Sequence, residues 1–167
     1  MTIDLVPLPA GTVAPAFTLH QTRWMILSLR RLAGRPTILV FYPTPFEPVS
    51  CEQLTLFQEF LPQVEVLGGQ LVGISADHTW CHEAFAREAG VSFPLLSDMH
   101  PRGAVSRLYG VYREDKEVTG RALFVIDGGG FIRFSQAYPD LLNPGVNDVL
   151  TVLERVMAEA DTRHHPE

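Results

Sequence analysis

The sequence predicts an α/β fold in which helices flank both faces of a mixed central β-sheet. The short unbroken apolar run at residues 38–42 predicts a strand that is buried on both faces, and Gln-Leu-Val-Gly-Ile-Ser at residues 70–75 predicts the next buried strand. Each run is followed by a segment with apolar residues at helical spacing. A strand-turn-strand pattern over residues 121–137 then adds a hairpin around the glycines at 128–130.

The first half of the chain contains a small hairpin and the two buried strands. Residues 1–15 are rich in proline and predict an extended arm, and short strands over 17–20 and 24–29 form an N-terminal hairpin extension. After the strand at 38–42, prolines 43, 45 and 48 exclude regular structure. A helix then begins with Ser50 as its N-cap and runs to about Leu61, where Pro62 ends or kinks it before a further turn.

The second half adds helices around the hairpin. Residues 79–89 form a helix that Asp77 or Thr79 caps, residues 91–96 are extended, and 103–109 form a short helix. The charged stretch 113–119 reads as a solvated loop, and the last helix covers 144–160 with Asn143 as N-cap. The order β-α-β-α-β-β-α is the one that a thioredoxin-like fold requires. We expect one domain over residues 1–167, with 161–167 as a disordered tail.

Composition and charge exclude several classes of function. The net charge of −6 argues against partners that are nucleic acids or anionic membranes. No apolar run approaches the roughly 20 residues that span a bilayer, and the first residues lack the features of a signal peptide. Two cysteines in a chain of 167 residues do not form a disulfide scaffold, so we expect a cytoplasmic protein.

A thiol stands where the sequence can make it reactive. The buried strand, the proline-rich loop and the helix beginning at Ser50 place Cys51 in the first turn of that helix. Free backbone N–H groups and the helix dipole favour anions there, and this environment lowers a thiol pKa.

The same stretch resembles a known active site. The run Phe41-Tyr42-Pro43-x-x-x-Glu47-Pro48-Val49-Ser50-x-x-Gln53-Leu54 is similar to the catalytic segment of the peroxiredoxins, the AhpC/TSA family of thiol peroxidases. The family pattern is Pro-x-x-x-Thr/Ser-x-x-Cys on a thioredoxin-like fold. Here Glu47 stands at the Thr/Ser position and Ser50 at the position of the peroxide-attacking cysteine, while the thiol of Cys51 comes one place later. The resemblance extends over residues 15–154.

The resemblance implies a chemistry and roles for six residues. It implies reduction of hydrogen peroxide or alkyl hydroperoxides, with a thioredoxin-like protein or a small thiol as reductant, no cofactor or metal, and a homodimer. Pro43, Glu47 and Ser50 come from the motif, and Cys51 supplies a nearby thiol. Arg121 matches the family's arginine that stabilises the thiolate, and Cys81 lies in a helix where some members carry a resolving cysteine.

Several interpretations remain open at this point. Cys51 is rotated about 100° from Ser50 on the helix, so it is either a working thiol or a small buried apolar side chain. Whether the chain is an enzyme is therefore undecided between a peroxidase that uses Cys51 and a peroxidase-inactive redox-sensing or binding module. Ser50 is either the natural residue or an engineered replacement of a catalytic cysteine.

Two further expectations concern the cysteines and the dimer. We expect Cys51 and Cys81 to be separate and reduced in a resting structure, because the starts of neighbouring helices stand well over 10 Å apart across a sheet. The aromatic candidates for a dimer surface are Phe46, Trp80, Tyr109 and Tyr112.

Overall fold

The structure, a computed structural model, describes residues 5–164. These residues form nine strands and four α-helices, with a 3₁₀ helix at Leu29–Leu32; the predicted strands and helices occur in the predicted order, and a hairpin of two short strands over residues 112–119 was not predicted. The strands are β1 Thr18–His20, β2 Ile26–Ser28, β3 Thr37–Phe41, β4 Gln70–Ser75, β5 Leu95–Ser97, β6 Tyr112–Arg113, β7 Val118–Thr119, β8 Ala122–Ile126 and β9 Ile132–Ala137. The helices are α1 Pro48–Val66, α2 Thr79–Ala89, α3 Ala104–Leu108 and α4 Asn147–His164.

Seven strands form one mixed sheet in the order β2-β1-β5-β4-β3-β8-β9. β3 lies between β4, with which it is parallel, and β8, with which it is antiparallel. All five residues of β3 are buried, because the strand has neighbours on both edges and packed layers on both faces. The predicted mixed sheet and the predicted hairpin of β8 and β9 are confirmed.

The side chains of β3 alternate between two hydrophobic cores. Ile38 and Val40 face a core that includes residues of α1, α2 and α4. Leu39 and Phe41 face a second core beneath α3, the 3₁₀ helix and the N-terminal arm. The sheet is therefore covered on both faces, which explains why the strand reads as an unbroken apolar run.

The start of α1 differs from the prediction. Ser50 is not the N-cap; the helix begins at Pro48, three residues before the expected first helical residue Cys51, and Glu47 caps it with its carboxylate. Proline suits the first helical position because it has no N–H group to leave unpaired. The helix also continues past Pro62 to Val66.

Two further differences concern the start of α2 and the stretch over residues 113–119. His78, not Asp77 or Thr79, is the N-cap of α2, and it makes no side-chain capping bond. The stretch predicted as a solvated loop contains the β6–β7 hairpin, in which the Arg113 side chain is buried beside Asp115.

The last helix is shifted along the chain. It begins at Asn147, not at residue 144, because Gly145 takes a φ of 72° that no helix continues. The Asn143 side chain does not cap the helix. Its Oδ1 instead accepts a hydrogen bond from the Gly145 N–H, in the turn before the helix. α4 extends to His164, so residues 161–164 are helical and not part of a tail; residues 165–167 lie outside the described part. None of the helices in residues 5–164 is long and apolar enough to cross a membrane.

Candidate active site

The carboxylate of Glu47 binds the first turn of the helix that it precedes. Its Oε1 accepts a hydrogen bond from the Val49 N–H at 2.9 Å, and its Oε2 accepts from the Ser50 N–H at 2.9 Å. Oε2 also accepts from the Ser50 hydroxyl at 2.9 Å. The N-terminal N–H groups of α1, which are free to bind an external anion in an uncapped helix, therefore already hold an anion from the chain itself.

Arg121 completes the cluster from the neighbouring strand. It directly precedes β8, which pairs with β3, and its side chain is fully buried. Nη2 donates to the Glu47 carboxylate at 3.1 Å and to the Ser50 hydroxyl at 3.2 Å, and Nη1 donates to Gln53 Oε1 at 2.6 Å. Nε and Nη2 both donate to the backbone carbonyl of Asp140, at 3.1 and 2.8 Å. The guanidinium is thus held on two edges by acceptors.

The two charges stabilise each other. Burial acts to raise the pKa of Glu47, but the N–H groups of Val49 and Ser50, the Ser50 hydroxyl and Arg121 outweigh it, and the pKa lies below its ordinary value. Burial acts in the opposite direction on Arg121, lowering its pKa, while Glu47 opposes that shift. The site accordingly contains a carboxylate and a guanidinium that remain charged together at neutral pH.

Ser50 lies inside this cluster as the third residue of α1. It is fully buried, and its hydroxyl donates to Glu47 while it accepts from Arg121. Both hydrogen-bonding capacities are therefore used within the protein. The sequence predicted Ser50 near Arg121 and the helix start, and the structure brings these residues together.

Cys51 faces away from the cluster. Its N–H donates to the Glu47 carbonyl at 2.9 Å, so it is not one of the free N–H groups of the first turn. Its half-buried side chain packs against the core that contains Leu54 and Phe57. Among residues 5–164, the hydrogen-bond acceptors of Arg121 are Gln53, Glu47, Ser50 and the Asp140 carbonyl, and the Cys51 thiol is not one of them. The 100° rotation between adjacent helical residues separates the thiol from the guanidinium.

Pro43 lies where the chain leaves the sheet. The N–H of Tyr42 still bonds to the Ile74 carbonyl at 3.2 Å, and pairing ends at the half-buried Pro43, which has no N–H to donate. A turn closed by the Glu47 N–H and the Thr44 carbonyl then brings Glu47 to the helix start. Pro43 thus determines where the loop departs from the sheet.

Cys81 lies at the start of the neighbouring helix, α2. It is the third residue of this helix and is half-buried. Burial and the nearby Asp77 carboxylate raise the pKa of its thiol. The adjacent His82 points into the core and bonds to Ser75, so it cannot lower that pKa. Both cysteines are free thiols in this structure, and their behaviour on oxidation stays a prediction.

His82 belongs to a buried polar network at the end of β4. Ser75 Oγ donates to Asp77 Oδ2 at 2.7 Å and lies 2.7 Å from His82 Nε2. Because the hydroxyl has one proton and the carboxylate can only accept it, His82 carries its hydrogen on Nε2. Burial lowers the pKa of His82 to about 4, so the ring is neutral at pH 7. Across residues 5–164, no group of three or more His, Cys, Asp or Glu side chains is arranged to hold a metal ion.

Comparison with known proteins decides the family. A family model described as AhpC/TSA matches residues 10–135. Alkyl hydroperoxide reductase E of Mycobacterium tuberculosis is 36% identical over 130 residues, which cover 77% of this chain and 85% of the relative. The chain belongs to the AhpC/TSA family of peroxiredoxins. A chloroplastic peroxiredoxin Q of Triticum aestivum is 31% identical over 129 residues, covering 74% of this chain and 57% of that protein.

Solved peroxiredoxin structures share the fold. The reduced 2-Cys peroxiredoxin of Plasmodium vivax superimposes with a TM-score of 0.84 at 22% identity, covering 93% of this chain and 85% of that chain. AhpC of Mycobacterium tuberculosis gives a TM-score of 0.80 at 22% identity, covering 92% and 96%. The thioredoxin-like architecture of the peroxiredoxins, expected from the order of elements, is thereby confirmed.

The sequence did not identify every residue of the peroxiredoxin site. Gln53 lies three residues after Ser50, on the same face of α1, and that spacing was the available signal. Asp140 contributes its backbone carbonyl, which no side-chain pattern could have indicated. The expectation that Tyr109 and Tyr112 lie at a dimer surface is wrong, because both side chains are buried in the monomer.

Proposed function

We propose that this peroxiredoxin is inactive as a cysteine peroxidase at its family site and acts as a redox-sensing or binding module. The observation that carries the proposal is the position of the Glu47 carboxylate, which binds Arg121 and the Val49 and Ser50 N–H groups together. A thiolate and a peroxide would need these same groups in a peroxiredoxin reaction.

The chemistry of peroxide reduction explains why this arrangement opposes it. A thiolate attacks one peroxide oxygen, the O–O bond breaks, and the products are a sulfenic acid and an alkoxide or hydroxide that takes up a proton. The step needs a cation near the sulfur and donors that stabilise the departing oxygen. Ser50 has no sulfur at this position, and a carboxylate beside a thiol raises its pKa by repulsion.

A redox-sensing role falls to the two thiols outside the cluster. Cys51 and Cys81 are half-buried, and the raised pKa of Cys81 reduces its thiolate fraction at neutral pH. Such thiols react with peroxide stoichiometrically and slowly, and a small thiol or a thioredoxin-like protein returns them to the reduced state. The names of the relatives, alkyl hydroperoxide reductase and peroxiredoxin, support peroxide as the class of oxidant.

Steady-state peroxide consumption tests the proposal. Wild-type protein with excess dithiothreitol is expected to consume hydrogen peroxide or cumene hydroperoxide no faster than a Cys51→Ala/Cys81→Ala variant. Mass spectrometry of the wild-type protein after millimolar peroxide is expected to show oxidised cysteine. If both thiols stay fully reduced, the redox-sensing role is excluded and the binding role remains.

A peroxidase that uses Cys51 is the competing function, and the names of the relatives favour it. It predicts that the wild-type protein turns over peroxide many times and that Cys51→Ala abolishes this turnover. It also predicts that Cys81→Ala prevents the intramolecular disulfide that would otherwise form with the oxidised Cys51. That result would overturn the inactive assignment.

We also propose a homodimer in the reducing cytoplasm. Phe46, in the loop before α1, and Trp80, in the first turn of α2, are 53% and 72% exposed and available for a contact. Sedimentation at micromolar concentration is expected to give a dimer that a Phe46→Ser/Trp80→Ser variant weakens. A wild-type protein that sediments as a monomer would contradict the dimer.

A further inference from the structure

The hairpin of β1 and β2 exposes three consecutive large apolar side chains. Trp24, Met25 and Ile26 are 83%, 56% and 55% exposed. The turn that presents them is ordered by the Thr22 hydroxyl, which accepts from the Trp24 and Met25 N–H groups at 3.2 and 3.0 Å. Isolated exposed apolar residues are common, but a contiguous group on an ordered turn indicates a contact surface.

The same region is basic in an acidic protein. Residues 5–46 contain four arginines and no Asp or Glu, so they carry a charge of +4, while the whole chain carries −6. Arg23, Arg30 and Arg31 are exposed, and none of them forms an ion pair within the part of the chain that the structure describes. The guanidinium of Arg23 lies 4.9 Å from the centre of the Trp24 ring.

The backbone of β2 is open on one side. Among the residues that the structure describes, β2 is the terminal strand of the sheet and pairs only with β1. The Gln21–Met25 and Phe17–Leu29 pairs hydrogen-bond to each other, so by the alternation of an antiparallel ladder Leu27 also faces β1. The N–H and C=O groups of Ile26 and the N–H group of Ser28 must then point away from β1, towards the open edge, while the Ser28 carbonyl accepts the first hydrogen bond of the 3₁₀ helix. An edge of this kind accepts an additional strand.

We infer that the open edge of β2 binds an extended acidic segment of a partner protein, which adds a strand to the sheet. The segment pairs its backbone with Ile26 and Ser28 and covers Trp24 with an apolar side chain. Arg23 lies before β2 and Arg30 and Arg31 lie after it, so acidic residues at either end of the added strand meet arginines.

Two other occupants fit this surface less well. Two copies of the chain joined edge to edge would bring their arginines together, and like charges in a contact repel. An anionic lipid surface would attract the arginines and Trp24, but lipid cannot pair with the backbone groups of Ile26 and Ser28. The acidic segment satisfies the charges and the backbone at once.

Peptide binding tests the inference with the full-length chain. The probe is the peptide Glu-Glu-Val-Thr-Val-Glu-Glu with blocked ends, and the control probe has lysine in place of glutamate. In a Trp80→Phe background Trp24 is the sole tryptophan, so its emission should shift to shorter wavelength as the acidic peptide covers it. The lysine peptide is expected not to bind.

Two variants separate the charge from the backbone contribution. Arg30→Glu/Arg31→Glu should weaken binding at least about tenfold, since two attractions become repulsions, whereas Arg87→Glu/Arg155→Glu, with the same charge change at exposed helical sites, should not. Ile26→Pro removes an N–H that faces the open edge and should also weaken binding, with circular dichroism confirming the fold.

Four results would overturn the inference: no binding of the acidic peptide at millimolar concentration, equal loss in the control variant, full binding to Ile26→Pro, or a change in sedimentation that shows self-association through this edge. Binding to phosphatidylserine vesicles without binding to the peptide would assign the surface to a membrane instead and would overturn it as well.

Discussion

Oε2 of Glu47 lies 3.1 Å from Nη2 of Arg121, so the loop before α1 and the start of β8 are joined by an ion pair between residues 74 positions apart. The guanidinium is fully buried, while the carboxylate is 27% exposed. The pair therefore links two segments that the sheet already brings together, and it closes the anion-binding face of the helix start. The stability and the chemistry of the site both depend on it.

Removing the charge of Glu47 should destabilise the fold. Glu47→Gln leaves the Arg121 guanidinium buried without its counter-ion, and we expect the free energy of unfolding to fall by about 2 kcal/mol, less than for a fully buried pair because Glu47 is partly exposed. Urea unfolding at pH 7 measures the loss. Glu52→Gln, at an exposed position in the same helix, is the matched control, and equal losses in both variants would contradict the structural role of the pair.

Gln53 should contribute through the same guanidinium. Gln53→Met keeps the volume of the side chain but removes the acceptor that lies 2.6 Å from Arg121 Nη1. A buried donor left without a partner costs about 1–3 kcal/mol, so the free energy of unfolding should fall by that amount. Gln58→Met, which removes a hydrogen bond to Ser92 at the surface, provides the comparison. A Gln53→Met protein as stable as the wild type would refute the proposed contact.

Acid should destabilise the protein in part through His82. Its pKa is about 4 in the folded protein, below the ordinary value of 6.5, so between these values the unfolded chain binds a proton that the folded chain does not. Stability is therefore fully present above pH 6.5 and is lost as the pH falls towards 4, by roughly 3 kcal/mol from this residue.

The contribution of His82 can be separated from that of the carboxylates. The fall in unfolding free energy between pH 7 and pH 4.5 should be smaller in His82→Gln than in the wild type, because glutamine does not titrate. His100→Gln, at an exposed histidine, should leave the fall unchanged. An unaltered pH dependence in His82→Gln would show that the ring binds its proton as readily in the folded chain as in the unfolded chain, and would contradict the lowered pKa.

The sequence predicted the strand at residues 38–42, the helix after it and Arg121 at the site, because each depends on a local apolar pattern or a motif. The prediction of Ser50 as the N-cap was wrong, because the Glu47 side chain accepts hydrogen bonds from the N–H groups of Val49 and of Ser50 itself. The contact between Gln53 and Arg121 spans 68 positions and depends on the pairing of β3 with β8, which local patterns do not determine.

The start of α4 shows a second limit of local reading. Asn143 and Pro144 are residue types that are common at the start of a helix. The positive φ of Gly145 is not helical, however, so the helix begins two residues after Gly145, at Asn147. The buried Arg113 is a similar case, since a charged run predicts solvent exposure unless acidic partners such as Asp115 and Asp140 surround the arginine.

The central claim is that Glu47 and Ser50 together prevent thiol peroxidase chemistry on an otherwise intact peroxiredoxin scaffold. The direct measurement is peroxide consumption by four proteins under identical conditions: wild type, Ser50→Cys, Glu47→Thr/Ser50→Cys, and Ser92→Cys, which adds an exposed thiol away from Arg121. We expect no turnover in the wild type or in Ser92→Cys, slow turnover in Ser50→Cys, and a rate at least about 100-fold higher in the double variant, where the donors and the guanidinium are free to stabilise the reaction. Rapid turnover by the wild-type protein, or a double variant no faster than Ser92→Cys, would contradict the claim.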